Sequence, residues 1–316
     1  SPDSLEADAL SFLNNEIDIY TNSWGPSDNG QTLSAPGPLM LAAFEDDAYQ
    51  GRNGRGNIIT WAAGNGLTSN DNANYDGWAN SRFTIAVAAI THYGEQSYYS
   101  EPGANILVTS HSNGDGEAIT TTDIHDDPDI SSDDAGYDNG NVTNSFGGTS
   151  SATPLAAGII ALILEANENL TWRDLQHILV NSARKNDPND SSWEINNAGH
   201  DVSHKYGFGA IDAGAAVSLA ENWTNVDNEI NQTFGPYMPS FDIPTSTNSW
   251  SEFDVQINED ISLESIDIIV DIDHPDRGDL DIVLESPNGT QSWLAEEHND
   301  GGNDYSNWLF NTVHHW

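Results

Sequence analysis

Three short apolar runs constrain the fold of this 316-residue chain more than any other feature. "NIITWAAG" (57–64), "FTIAVAAI" (83–90) and "NILVTS" (105–110) are nearly continuous in apolar residues. That pattern suits strands buried on both faces of a parallel sheet. Helical patterns lie between and beyond them. Residues 4–16 place Leu5, Ala9, Phe12 and Leu13 on one face, and "EIDIYTNSW" (16–24) then alternates as a strand. "PGPLMLAAFEDDAY" (36–49) has helical spacing behind an entry proline. Residues 152–167 read as a long helix, and Thr171 with Asp174 is placed to cap the next one. Strands alternating with helices predict an α/β domain around a mostly parallel sheet.

From about residue 225 the pattern changes. Residues 225–240 are polar, proline-bearing and without period, as expected of a linker. Beyond them "SEFDVQI" (251–257), "SLESIDIIVDIDH" (262–274) and "GDLDIVLESPNGTQSWLA" (278–295) mostly alternate, with Pro-Asn-Gly at a turn. A second, all-β domain is predicted over 241–316.

Fifty acidic residues oppose eight basic ones, a net charge of −42. Such a surface repels nucleic acid and anionic membranes and attracts cationic peptides and divalent cations. It also suits a solvated acidic shell in salty surroundings. Cysteine is absent, which excludes disulfide and thiolate chemistry. The longest apolar run, Leu155–Leu164, includes Gly158 and falls short of a membrane span.

"NSFGGTSSATPLAAGIIALILEAN" (144–167) carries the first sign of chemistry. Ser150 sits among small residues at a helix start, where unpaired N–H groups favour negative charge. Taken alone, it reads as a helix cap before a nucleophile. The segment has company, however: "DIYTNSWGPSDNG" (18–30), "WAAGNG" (61–66), 147–180, "VSHKYGFGAIDAGAAV" (202–217) and "HPDRGDLDIVLESPNGT" (274–290). In that order these blocks resemble the subtilisin-like serine proteases, in the kexin and furin branch of proprotein convertases. The last block is similar to the branch's P domain. The resemblance implies a three-layer catalytic domain over 1–224 and a jelly-roll-like P domain, incomplete at Trp316.

It also implies roles for individual residues. Ser150 would be the acyl-forming nucleophile and Asn65 the side-chain donor to the oxyanion; by itself, Asn65 is equally a turn residue beside Gly66. Ser23, Trp24, Gly25 and Pro26 would pair with an extended peptide substrate. Asp28 and Asp76 would hold a basic side chain just before the cleaved bond. Glu6, with Asp3 nearby, would serve a more distant basic residue, flanked by Trp78. Ser34 stands where furin has a further acid, so the preference expected is for paired basic residues immediately before the cut. Asp28, Asp71 and Glu101 would bind a structural Ca²⁺, whose six to eight oxygen ligands suit carboxylates. Each acid alone reads as surface. The acidic stretch 125–141 reads as a solvated loop before a second ion site.

The family's catalytic Asp and His motifs are not found. None of the ten histidines lies in a His-Gly-Thr setting; His204 and His177 read as structural. Truncation at the N-terminus, ahead of residue 18, is the expectation, with a non-catalytic protein that holds basic peptides as the alternative. A secreted or cell-envelope location is implied. Arg277-Gly278-Asp279 reads as a structural turn rather than an adhesion signal.

Overall fold

Four parallel strands carry the first domain: β1 (Ile19–Asn22), β2 (Ile58–Ala62), β3 (Thr84–Ile90) and β4 (Ile106–His111), hydrogen-bonded in that order. The computed structural model describes residues 2–124, 136–138, 140–239, 242–245 and 249–316. The apolar runs are strands because both their faces are covered. Ile58, Ile85, Val87 and Leu107 enter one core with α3 (Thr149–Ala166), α4 (Trp172–Ser182) and α5 (Ala213–Ala220). Ile59 and Trp61, pointing the other way along β2, enter a second core with α1 (Asp3–Leu10) and α2 (Pro38–Gly54). Helix, sheet, helix is the three-layer order expected.

α4 begins as its sequence requires. Thr171 Oγ1 accepts from the Asp174 N–H (3.1 Å) and Asp174 Oδ2 accepts from the Thr171 N–H (2.8 Å). α2 is capped from outside itself: the Leu39 and Met40 N–H groups donate to Asp3 (3.0 and 2.9 Å). α1 is shorter than the helix predicted over 4–16. It ends at Leu10, and Leu5, Phe12 and Leu13 are exposed while Glu6 and Leu10 are buried. The asparagines after it serve the neighbouring chain instead: Asn14 O accepts from Arg52 N, and Asn15 Oδ1 from Asn53 N, both at 2.8 Å. α3 is long and apolar enough to span a membrane by length and composition, beyond what its uninterrupted apolar run suggested. Half of it is buried, and Ile160, Ile163 and Leu164 fill the main core.

A hairpin of β5 (Ile119–Thr122) and β6 (Val142–Phe146) leads directly into α3. β7 (Trp193–Ile195) and β8 (Asp201–Ser203) form a smaller one. The second domain pairs β9 (Ile266–Ile272) with β12 (Tyr305–Thr312) and β10 (Ile282–Glu285) with β11 (Gln291–Ala295), all antiparallel. Residues 251–257, predicted as a strand, are unpaired and mostly exposed. Alternation alone does not make a strand without a neighbour to bond.

The domains share a packed boundary. Leu280, Leu294, Tyr305, Trp308 and Phe310 cluster with Tyr75 and Ala104 of the first domain. Arg173 and His177 on α4 both reach Glu264; His177 Nε2 lies 2.8 Å from its carboxylate. Burial opposes ionisation there, but these partners hold the Glu264 carboxyl down at about 2. Arg277, of the Arg-Gly-Asp triplet, donates from Nε to Asp300 Oδ2 (2.6 Å), and Gly278 is buried, as a structural turn requires.

Asp47, on α2, is fully buried. Burial pushes its carboxyl up to about 7, with Asn14 pulling down and Asp46 pushing up. A folded state that holds this proton more tightly than the unfolded chain loses stability as pH rises from about 4 to 7. The loss is on the order of 4 kcal/mol at 1.36 kcal/mol per pH unit. Asp47→Asn is therefore expected to be more stable than wild type in urea melts at pH 8, with the difference vanishing near pH 4.

Candidate active site

Ser150 is set at the first turn of α3 by the turn before it. Gly148 has φ 78°, ψ 171°, in the region favouring glycine, and an added Cβ there would lie 3.2 Å from Asn65 Oδ1. The Gly148 N–H donates to Asn113 Oδ1 (2.8 Å), which also accepts from Tyr99 OH (2.6 Å). Ser112 Oγ donates to Gly148 O (2.7 Å). These contacts separate the two adjacent serines. Ser151 is buried, its Oγ 2.6 Å from Ser112 Oγ and 3.2 Å from Gly148 O. Ser150 is half-exposed, and its N–H lies in the first turn, where the helical ladder offers no acceptor. The available hydroxyl is Ser150's.

Asn65 follows β2 and meets this turn. Its Oδ1 accepts from Thr149 N (2.8 Å) and Thr149 Oγ1 (3.0 Å). Its amide Nδ2, the group expected to face an oxyanion, donates to Asp28 Oδ2 at 3.1 Å, and the Asn65 N–H joins it at the same distance. Asn65 thus bridges the serine turn and the acidic loop.

That loop continues Ser23–Pro26, which leaves β1 as irregular chain with Ser23, Trp24 and Gly25 exposed. Two bonds hold it: Ser23 Oγ to Ser150 O (3.0 Å) and Trp61 Nε1 to Trp24 O (2.8 Å). Gly25 is required by close approach, since a Cβ would come 2.6 Å from Asp76 Oδ2. The backbone expected to pair with substrate therefore lies directly against the carboxylate expected to bind its side chain.

Asp28, Asp71, Asp76 and Glu101 line one cleft, and none of the residues lining it is basic. Burial, with its acidic neighbours, pushes Asp76 up to about 7 against the pull of the Trp78 and Ala79 N–H groups. Burial also raises Glu101 well above the usual carboxylate range, reinforced by Asp71 and Asp28. Closely set carboxylates repel one another, and their oxygens are the donor type a hard dication takes. As they stand, the carboxylates bind backbone: Asp71 accepts from Gly30 and Asn72 N–H, and Glu101 from Gly66 N–H (2.8 Å). Among the described residues, no three acidic or imidazole side chains are already arranged to hold a metal ion.

Two residues expected at the more distant subsite touch each other. Trp78 Nε1 donates to Glu6 Oε2 (3.2 Å), and both are buried. Trp78 also packs edge-on against the partly exposed Trp24 at 5.6 Å. Asp3 is the cap of α2. Ser34 pairs with the Asp76 segment, its O accepting from Gly77 N (2.8 Å) and its N donating to Tyr75 O (3.2 Å). Most of the acidic stretch 125–141 lies outside the described residues.

Nine of the ten histidines are described, and none is hydrogen-bonded to Ser150. His177 and His204 meet Glu264 and Glu296 across the domain boundary, His111 meets Thr91 O, and His314 is buried. Sequence reading missed Thr149, Tyr99 and Asn113 as supports of the serine turn. It also missed Glu296, whose partners lie over 90 residues away.

Comparison with known proteins gives two family matches: the subtilase family over residues 1–209 and the proprotein convertase P-domain over 263–316. The chain is 40% identical to rat proprotein convertase subtilisin/kexin type 6, over 99% of this chain and 33% of that protein. It is 38% identical to bovine furin (99% and 38%) and 37% identical to PC3-like endoprotease variant B of Hydra vulgaris (99% and 44%). It thus spans between a third and a half of the length of these relatives. Among solved structures it is similar to the Aeromonas sobria serine protease in complex with its chaperone, at TM-score 0.81 and 23% identity. That match covers 100% of this chain and 65% of the other, and supports the fold.

Proposed function

We propose, from the premise that this chain belongs to the subtilase family and carries a proprotein convertase P-domain, that its protein is a secreted or cell-envelope serine endopeptidase. It would cleave protein substrates after basic residues. The observation that carries the reading is a half-exposed Ser150 at a helix N-terminus, beside a cleft of four carboxylates without a basic lining residue.

In this reading a substrate segment lies along Ser23–Pro26 by backbone pairing. Its basic side chain passes Gly25 to reach Asp76, with Asp28 alongside; a guanidinium or ammonium favours the ionised carboxylate that burial, and then its acidic neighbours, oppose at Asp76. The scissile carbonyl is then presented to Ser150. Ser150 Oγ gives its proton to the general base and attacks the carbonyl carbon, with the Ser150 N–H and Asn65 Nδ2 donating to the oxyanion; the C–N bond then breaks, the amine leaves with that proton, and water hydrolyses the ester to release the acid and restore the serine hydroxyl. A peptide entering the site competes with Asp28 for the Asn65 amide. The general base and its orienting carboxylate would come from polypeptide other than these 316 residues. Calcium held by Asp28, Asp71 and Glu101 would supply charge neutralisation, tying the loops around residues 28, 71 and 101.

A second reading, a non-catalytic holder of basic peptides, draws on the engagement of the described histidines elsewhere. The test is hydrolysis of a fluorogenic Lys-Arg peptide by the full-length protein with and without a chelator. Activity that falls at least about tenfold on chelation and returns with Ca²⁺ is expected. Binding without turnover would favour the second reading, and activity indifferent to chelation would remove calcium from the account.

A further inference from the structure

The turn that carries Asp76 is gripped by the other domain. Asn72, at its start, donates from Nδ2 to Glu296 Oε2 (3.1 Å). Asn74 exchanges two bonds with Asn311: Asn74 Nδ2 to Asn311 O (3.0 Å) and Asn311 N to Asn74 Oδ1 (2.9 Å). Tyr75, buried, places its hydroxyl between the backbone of Glu296, donating to its O (3.2 Å) and accepting from its N–H (3.1 Å). Its ring stacks on His298 with centroids 4.5 Å apart. Glu296 is itself fixed by His204 Nε2, 2.9 Å from the same Oε2 that Asn72 reaches. One residue of the second domain therefore holds both ends of the short turn Ala73–Tyr75, at positions 72 and 75.

Asp76 is the next residue after Tyr75, and its carboxylate is aimed by the chain there. Tyr75 O accepts from Ser34 N, the Trp78 and Ala79 N–H groups turn the carboxylate inward, and Gly25 lies over it. A guanidinium binds a carboxylate well only when the two planes meet correctly. The orientation of Asp76 therefore bears on how strongly a charged side chain is preferred over a neutral one of the same shape.

Resting on the reading of Asp76 as the acceptor of a basic side chain, we propose that Tyr75 and Glu296 are positioning residues for specificity. Through them the P-domain aims Asp76 and sets the preference for a basic over a neutral side chain. A purely structural clasp would lower stability, or weaken all peptides alike. A positioning clasp changes discrimination.

The test uses the full-length protein with Ca²⁺ present and two probes, acetyl-Ala-Ala-Lys-Arg-amide and its analogue with citrulline in place of the last arginine. Kd for each is measured by calorimetry for wild type, Tyr75→Phe, Glu296→Gln and Asp76→Asn, with a thermal melt of each. Wild type is expected to prefer arginine, and Asp76→Asn to lose that preference. Tyr75→Phe and Glu296→Gln are expected to shrink it about 3- to 10-fold, the worth of one hydrogen bond, with citrulline affinity unchanged. If wild type shows no preference, or Asp76→Asn keeps it, the reading of Asp76 fails and the clasp with it. If Asp76→Asn loses the preference while the folded Tyr75 and Glu296 variants keep it, or weaken both peptides equally, the clasp is overturned and the reading of Asp76 stands. Should one clasp variant fail to fold, the other decides.

Discussion

Ser150→Ala in the full-length protein is expected to reduce cleavage of a Lys-Arg peptide to background. The loss is about 10⁶-fold in kcat where serine and histidine act as a unit. Substrate affinity is expected to stay near wild type, because Ser23–Pro26, Asp28 and Asp76 are untouched. The neighbouring Ser151 cannot take over. It is 1% exposed, and its hydroxyl is confined between Ser112 Oγ and Gly148 O. Rotating it into the cleft would forfeit those hydrogen bonds, at about 0.5–1.5 kcal/mol each. Ser151→Ala serves as the contrast: it should lower the melting temperature while leaving turnover largely intact. Turnover lost with Ser151→Ala and kept with Ser150→Ala would reverse the assignment.

Asn65→Ala is expected to lower kcat about 10²- to 10³-fold, the usual cost of removing one oxyanion donor. KM should change little, since the amide contributes where charge develops rather than to the bound peptide. Some of the loss would come through Thr149, whose N–H and hydroxyl both rest on Asn65 Oδ1 and would lose their acceptor. Thr149→Val separates the two effects, because it removes one of these donors and leaves the Asn65 amide in place. A fall in kcat for Thr149→Val equal to that for Asn65→Ala would mean that Asn65 acts by holding the turn.

The parts of the molecule legible in sequence are those governed by local pattern. The apolar runs at 58–62, 84–90 and 106–111 became the central strands because both faces are covered. The Thr171–Asp174 cap formed because both partners lie within one turn. Legibility failed where a distant contact decided the outcome. Asp3 caps α2, 36 residues away, a partner that no local pattern names. Glu6 lies buried against the Trp78 indole, 72 positions away. Phe12 and Leu13 follow helical spacing but fall outside the helix, where Asn14 and Asn15 bond to the end of α2 instead. Residues 251–257 alternate like a strand and pair with no strand among the described residues. In the site, Ser150, Asn65, Asp28 and Asp76 came from the family resemblance. What it did not convey is how they are joined: Asn65 between Thr149 and Asp28, and Asp76 under Gly25. The grip of Glu296 on residues 72 and 75 spans more than 220 positions, and no periodicity encodes it.

In the proposed function the acidic cleft beside Ser150 would select the residue before the cut. The most direct measurement is kcat/KM of the full-length protein for a Lys-Arg fluorogenic peptide against the same peptide with citrulline in place of arginine. Citrulline keeps the shape and removes the charge. A preference for arginine of about 10²-fold or more is expected, the worth of one charge-assisted bidentate contact. Equal rates for the two peptides would contradict the account.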